Sequence, residues 1–137
     1  MASNDNWKDT QQSAINATGL APPNDKESAI LSNGLAAGNY TAIVRGKNNT
    51  TGIGLVEAYD LDEVPATTLS NISTRGFVDT DQNVMIGGFI SGNGIVPVVV
   101  RGLGPTLSQF GVPNVLADPT LEVRDGNGNL LASNDNW

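Results

Sequence analysis

At 137 residues the chain has room for one domain with a proper core and hardly for two. With 39 % hydrophobic residues, only 15 % charged residues and 16 glycines, it reads as ordered, turn-rich and all-β, not as disordered. A net charge of −7 without a dense basic patch excludes nucleic acid as a partner, the lack of Cys excludes a disulfide framework or thiolate metal site, and no apolar run approaches the ~20 residues of a membrane span.

The residues after Met1 are polar at once, so no signal peptide opens the chain, and a secreted parent would make it an excised piece. Ser3–Asp9 is turn-like. Asp9 or Thr10 is placed to cap a short helix over Gln11–Thr18, which Gly19 ends. Pro22–Asp25 is a loop. Strands are expected at Ser28–Ser32, Tyr40–Gly46 and Ile53–Asp60. Tyr40, Ala42 and Val44 alternate and so share one face. Lys47-Asn-Asn-Thr-Thr-Gly52 is expected to join its flanking strands as a hairpin, and Asp62–Ile72 reads as a crossing loop.

Val84–Ser91 and Ile95–Gly102 flank Gly92-Asn-Gly94, a second hairpin signal. Pro97 requires its strand to be an edge or to carry a bulge, and Gly87-Gly88 suggests a bulge or the close approach of another backbone. Leu107–Gly111 suggests one helical turn. Thr120–Arg124 and Asn129–Ser133 flank Asp125-Gly-Asn-Gly128, a tight hairpin. About 7–9 short strands with one short helix predict an antiparallel β-sandwich of jelly-roll type. It is read as a single domain over 1–137, in which a linker at 66–74 joins an N-terminal segment, 1–65, to a C-terminal segment, 75–137.

The hexapeptide ASNDNW stands at Ala2–Trp7 and again at Ala132–Trp137, an offset of 130 residues, and the two copies hold both tryptophans of the chain. Placing Thr120–Trp137 before Met1–Asp60 and merging the shared hexapeptide gives a continuous order. A strand, a DGNG turn and a strand ending in ASNDNW come first; a short helix, GNYTAIVRG, a turn and GLVEAYD follow. This order resembles the bacterial pre-peptidase C-terminal type of β-sandwich. The matching pieces are Asp125–Gly128, Leu131–Asp135, Leu35–Gly46 and Gly54–Asp60, about half the chain. The remainder looks like the front half of a longer tandem repeat of large secreted proteins of environmental bacteria. The chain is then one period of a tandem array in permuted frame. Permutation is tolerated at exposed turns. A unit cut this way either closes its tail onto its own head or exchanges that segment with a neighbour, a contact that grows filaments when it does not close.

Without histidine or cysteine, Ser-His-Asp and Cys-His catalysis and histidine metal sites are excluded. The carboxylate pairs Asp60 and Asp62, Asp79 and Asp81, and Asp5 and Asp9 show no pattern of a catalytic cleft, so no enzyme is expected. Calcium, with its six to eight oxygen ligands, is the cofactor the residues suit. Asp125, Asn127, Asn129, Asp135 and Asp5 are the candidate ligands, although Asp-Gly and Asn-Asp are also what tight turns use. The resemblance adds support, since domains of this type bind calcium. Trp7 and Trp137 are expected to pack over a hairpin more readily than to form a sugar platform. Arg101-Gly-Leu-Gly-Pro105 lacks the lysine of a phosphate loop and reads as a strand exit. Asn16-Ala-Thr18, Asn49-Thr-Thr51 and Asn71-Ile-Ser73 are sequons.

Two functions compete. The favoured one is a non-catalytic structural repeat of an extracellular or cell-surface bacterial assembly, binding itself head-to-tail. Its contact residues would be Asn4, Asp5, Asn6 and Trp7 in one copy and Asn134, Asp135, Asn136 and Trp137 in the other, with Leu130 and Leu131 bracketing the joining strand. The other is a calcium-supported module for polysaccharide or matrix protein.

Overall fold

The computed structural model describes residues 2–3, 11–61, 71–91 and 96–135. In chain order these form β1 (Ala2–Ser3), α1 (Gln12–Thr18), β2 (Ser28–Leu35), β3 (Gly38–Gly46), β4 (Gly52–Asp60), β5 (Asn71–Val78), β6 (Met85–Ser91), β7 (Val96–Leu103), β8 (Pro119–Asp125) and β9 (Leu130–Asn134), with 3-10 turns at Lys47–Asn49 and Pro105–Phe110. The strands build two sheets, β1-β9-β8-β3-β6 and β2-β7-β4-β5. Every ladder between the described strands is antiparallel except β1 with β9, and an isolated parallel bridge links Ile53 to Val115. The fold is the all-β sandwich with one short helix that composition and turn spacing imply.

Strand alternation makes the core. Tyr40, Ala42 and Val44 of β3, Leu121 and Val123 of β8, and Met85 and Phe89 of β6 meet Val56 and Ala58 of β4, Val98 and Val100 of β7, and Ile30 of β2. Each Val, Leu, Ile, Phe or Met among them contributes about 1.5–3 kcal/mol by leaving water. The rings of Tyr40 and Phe89, opposite in the β3–β6 ladder, stack at 5.5 Å. The unbroken apolar runs in β2 and β7 follow from burial on both faces, because Ile15 of α1 packs on Ala29, Leu31 and Val99. The Gln11 side chain fastens the helix start to β2. Its Nε2 donates to the Leu31 carbonyl (2.7 Å) and its Oε1 accepts from the Leu31 amide (3.2 Å). Gly19, at φ 74°, ends α1 in the left-handed conformation open to glycine. The expected caps Asp9 and Thr10 lie outside the described residues.

Two expected hairpins are corrected. Lys47–Gly52 does not join a hairpin, because β3 and β4 lie in opposite sheets. Both edges of β3 are taken, by β6 and β8, and those of β4 by β5 and β7. The Lys47 amide instead donates to the Asp118 carbonyl at 2.8 Å, which ties the link to the entrance of β8. Likewise β6 and β7, on either side of Gly92-Asn-Gly94, fall in opposite sheets, and those turn residues lie outside the described ones. A turn-forming composition states that the chain reverses; it does not state which sheet receives the next strand.

Only β4–β5 and β8–β9 are neighbours both in sequence and in their sheet. The end of the expected crossing loop and of the 66–74 linker is also corrected, since β5 begins at Asn71. The expectation at Pro97 is corrected: its strand is central, between β2 and β4, and the bulge beside it lies in the partner strand. Pairing passes from Ser32↔Val98 to Leu35↔Val96, so β2 carries the extra residue. Gly87 marks a close approach, but of a side chain: a Cβ there would lie 3.0 Å from Val56 Cγ1.

Leu121 has no exposed surface at the middle of this core. Leu121→Ala is expected to cost about 2–5 kcal/mol of unfolding free energy in urea titrations, with the m-value unchanged.

Candidate functional site

The first candidate is the seam where the tail copy of ASNDNW docks. β9 pairs with β8 through Leu121↔Asn134, Glu122↔Ser133, Val123↔Ala132 and Arg124↔Leu130. Leu131 is the bulged residue between the last two pairs, and it packs on the core. Asn134 is 3 % exposed and reaches across to the other sheet. Its Oδ1 accepts from the Ala29 amide (3.2 Å), and its carbonyl accepts from Ser28 Oγ (3.1 Å), a hydroxyl that also lies 2.7 Å from the Pro119 carbonyl. Asp135 pairs with Lys47 at 2.8 Å. On the outer side β1 pairs parallel to β9, Ala2 opposite Ala132 and Ser3 opposite Ser133. The first two residues of the two copies therefore lie side by side, like residue against like. Asn4, Asp5, Asn6, Trp7, Asn136 and Trp137 are outside the described residues.

Of the expected calcium ligands, Asp125, Asn127 and Asn129 share one turn, and Asp135 lies away from them. Asp125 closes its own turn: Oδ1 accepts from the amides of Asn127 and Asn129 (2.9 Å each), and Oδ2 from Asn129 Nδ2 at 3.1 Å. These bonds, the Asn129 side chain first, hold its carboxyl below the usual aspartate range. Asp135 follows β9 at the far end of the same hairpin. That places it about 17 Å from Asp125 at ~3.4 Å per residue. Asp5 is not among the described residues, and among those described no three carboxylates gather as a metal cage.

A different carboxylate pair does meet. Asp118 and Asp135 each have a buried Oδ1 without a hydrogen-bond partner. Burial, and then the charge of Asp135, raise the Asp118 carboxyl above its ordinary value, against the pull of Lys47 and Lys26. The folded protein thus binds this proton more tightly than the unfolded chain. The charged form costs stability above the raised pKa, and the cost fades as pH falls toward the ordinary aspartate value. Asp118→Asn is expected to raise the melting temperature at pH 7, with the gain shrinking to nothing as melts are taken down through the carboxylate range.

The second candidate is a groove of about 520 Å³ on the outer face of the four-stranded sheet. Glu57 stands there between Arg101 on β7 and Ser73 on β5, in register with both. Arg101 donates to Glu57 Oε2 through Nε (2.8 Å) and Nη2, to the Tyr59 hydroxyl (3.1 Å) and to the Leu20 carbonyl (3.2 Å), and lies over the Tyr59 ring. Burial and the Glu57 charge raise the Tyr59 phenol, with Arg101 opposing. One row along, Leu103, Leu55 and Arg75 are aligned across the same three strands. Leu107 and Phe110 of the 3-10 helix form the opposite wall.

That wall is held by Glu27, which is fully buried. Its carboxylate accepts from the amides of Gly104 (3.2 Å), Thr106 (2.8 Å) and Asn24 (3.2 Å) and from Thr106 Oγ1 (2.8 Å). A buried carboxylate is tolerable because all these donors converge on it. Glu27→Ala would orphan several amides at once and is expected to lower stability by at least about 2 kcal/mol in urea unfolding.

The sequence reading did not single out this groove. Its one signal is the alternation Leu55, Glu57, Tyr59 on β4, which sets charge and ring on the same face. The partners Arg101, Ser73 and Arg75 come from register. Comparison with known proteins finds no matching family model, no matching curated protein and no matching solved structure.

Proposed function

We propose that this protein is a non-catalytic structural repeat of an extracellular or cell-surface bacterial assembly, and that it binds copies of itself head-to-tail through ASNDNW. The observation that carries the reading is the in-register pairing of Ala2-Ser3 with Ala132-Ser133 at the edge of the five-stranded sheet. One copy fills the slot between β8 and β2. The other, with that slot already taken by its duplicate, is left to hold a second chain. Main-chain pairing and the buried Asn134 side chain hold the tail copy in its own fold. The extracellular bacterial setting rests on the resemblance to the pre-peptidase C-terminal type of repeat. The lack of His and Cys supports a structural role over a catalytic one.

The test is light scattering over a concentration series. Wild type is expected to grow in mass with concentration. Trp7→Ala, which removes the indole of the head copy, should stay at one chain with an unchanged melting temperature. A wild-type mass of one chain throughout overturns the reading. Retention on a polysaccharide without self-association would favour the second reading, a calcium-supported binding module. For that reading the exposed Phe110 ring on the groove rim is the supporting feature.

A further inference from the structure

The chain has four arginines, and three of them have carboxylate partners: Arg45 and Arg124 share Glu122, and Arg101 holds Glu57. Arg75, exposed beside Leu55, has no ion-pair or hydrogen-bond partner among the described residues. In a chain of net charge −7 an unpaired guanidinium on a concave face invites an anionic group. The charge of Glu57 is already neutralised by two donors of Arg101, so the groove presents one net positive charge. The rest of the groove is mostly apolar, with Leu55, Leu103 and Leu107 as floor and wall and Phe110 77 % exposed at the rim. A volume of about 520 Å³ is in the range of sites that take a small ligand or one anchoring peptide. Sparse polar lining favours an aromatic peptide anchor over a sugar, which needs many hydrogen bonds.

We propose that this groove receives the Asp-Asn-Trp end of a second copy's ASNDNW segment, with the carboxylate on Arg75 and the indole against Leu103 and Phe110. This rests on the self-association reading and names where the neighbour docks. Two observations select the occupant. The segment combines an acid with a tryptophan two residues on, the side-chain chemistry that the groove lacks and complements. Its tail copy is already engaged, Asn134 at β2 and Asp135 at Lys47, which assigns the role to Asp5-Asn6-Trp7 of a neighbour. The reach agrees. Arg75 and Leu103 are two strands apart, about 10 Å, and residues i and i+2 of an extended peptide set their side chains on one face about 7 Å apart.

The experiment titrates wild-type protein into a dye-labelled peptide Ala-Ser-Asn-Asp-Asn-Trp, with anisotropy as the readout, and repeats the light-scattering series. Saturable binding is expected, weakened about tenfold or more by Arg75→Glu, by Phe110→Ala, and by replacing the peptide's Asp with Asn. The same two exposed-site variants should keep the wild-type melting temperature and stay at one chain. Peptide binding or mass growth that is untouched by Arg75→Glu and Phe110→Ala overturns the groove while leaving self-association standing. Absence of both binding and growth overturns the two together. Binding of polygalacturonate, but not of the peptide, in an Arg75-dependent manner overturns the peptide in favour of an acidic sugar.

Discussion

The structure depends on the ladder between β3 and β8. Seven residue pairs, from Tyr40↔Asp125 to Gly46↔Pro119, join the two ends of the described chain. β3 supplies Tyr40, Ala42 and Val44 to the core, and β8 supplies Leu121 and Val123. Neither strand has another way to bury that face. Without the ladder the five-stranded sheet loses its centre, and the four-stranded sheet is left with Val56, Val98 and Val100 facing water. The pairing spans nearly eighty residues of sequence, so its loop-closure entropy must be met before its burial is gained.

That topology makes the terminal hairpin part of the centre of the fold. β8 and β9 are consecutive and joined by the Asp125 turn, which is complete in itself through the bonds of Asp125 to Asn127 and Asn129. The hairpin meets the rest at β3, at Ser28 and Ala29 through Asn134, and at Lys47 through Asp135. Leu121 and Val123 also join the hairpin to the core residues Val56 and Ala58 of β4 and Val98 and Val100 of β7. The chain immediately before the hairpin is anchored elsewhere: Leu116 is fully buried, and its amide donates to the Ile53 carbonyl.

Local chemistry in the sequence is carried through into the fold where one strand or one turn decides it. The face shared by Tyr40, Ala42 and Val44, the end of α1 at Gly19 and the Asp125–Gly128 hairpin all follow from single-segment rules. What fails is whatever needs to know the partner. Lys47–Gly52 and Gly92–Gly94 have hairpin composition, yet each links strands of opposite sheets. Asp125 and Asp135 look like one ligand set ten residues apart, yet an antiparallel hairpin puts them at opposite ends. The groove was illegible for the same reason. Glu57, Ser73, Arg75 and Arg101 come from three strands, and only register sets them in rows.

The duplicated hexapeptide sets two copies against one slot, and mass action decides between them. The tail copy is tethered to the hairpin it completes, so its effective concentration at the slot is far above that of any copy on another chain. A free head copy competes poorly there, and the two parallel pairs of β1 on β9 are too few to hold a neighbour by themselves. An assembly built from this chain needs a second contact with its own side-chain anchors. The outer groove, with its unpaired Arg75 and exposed Phe110, has the chemistry of that contact. On this view β9 closes the fold and the groove joins the folds, and one repeated sequence serves both because its first half is a strand and its second half is an acid and an indole.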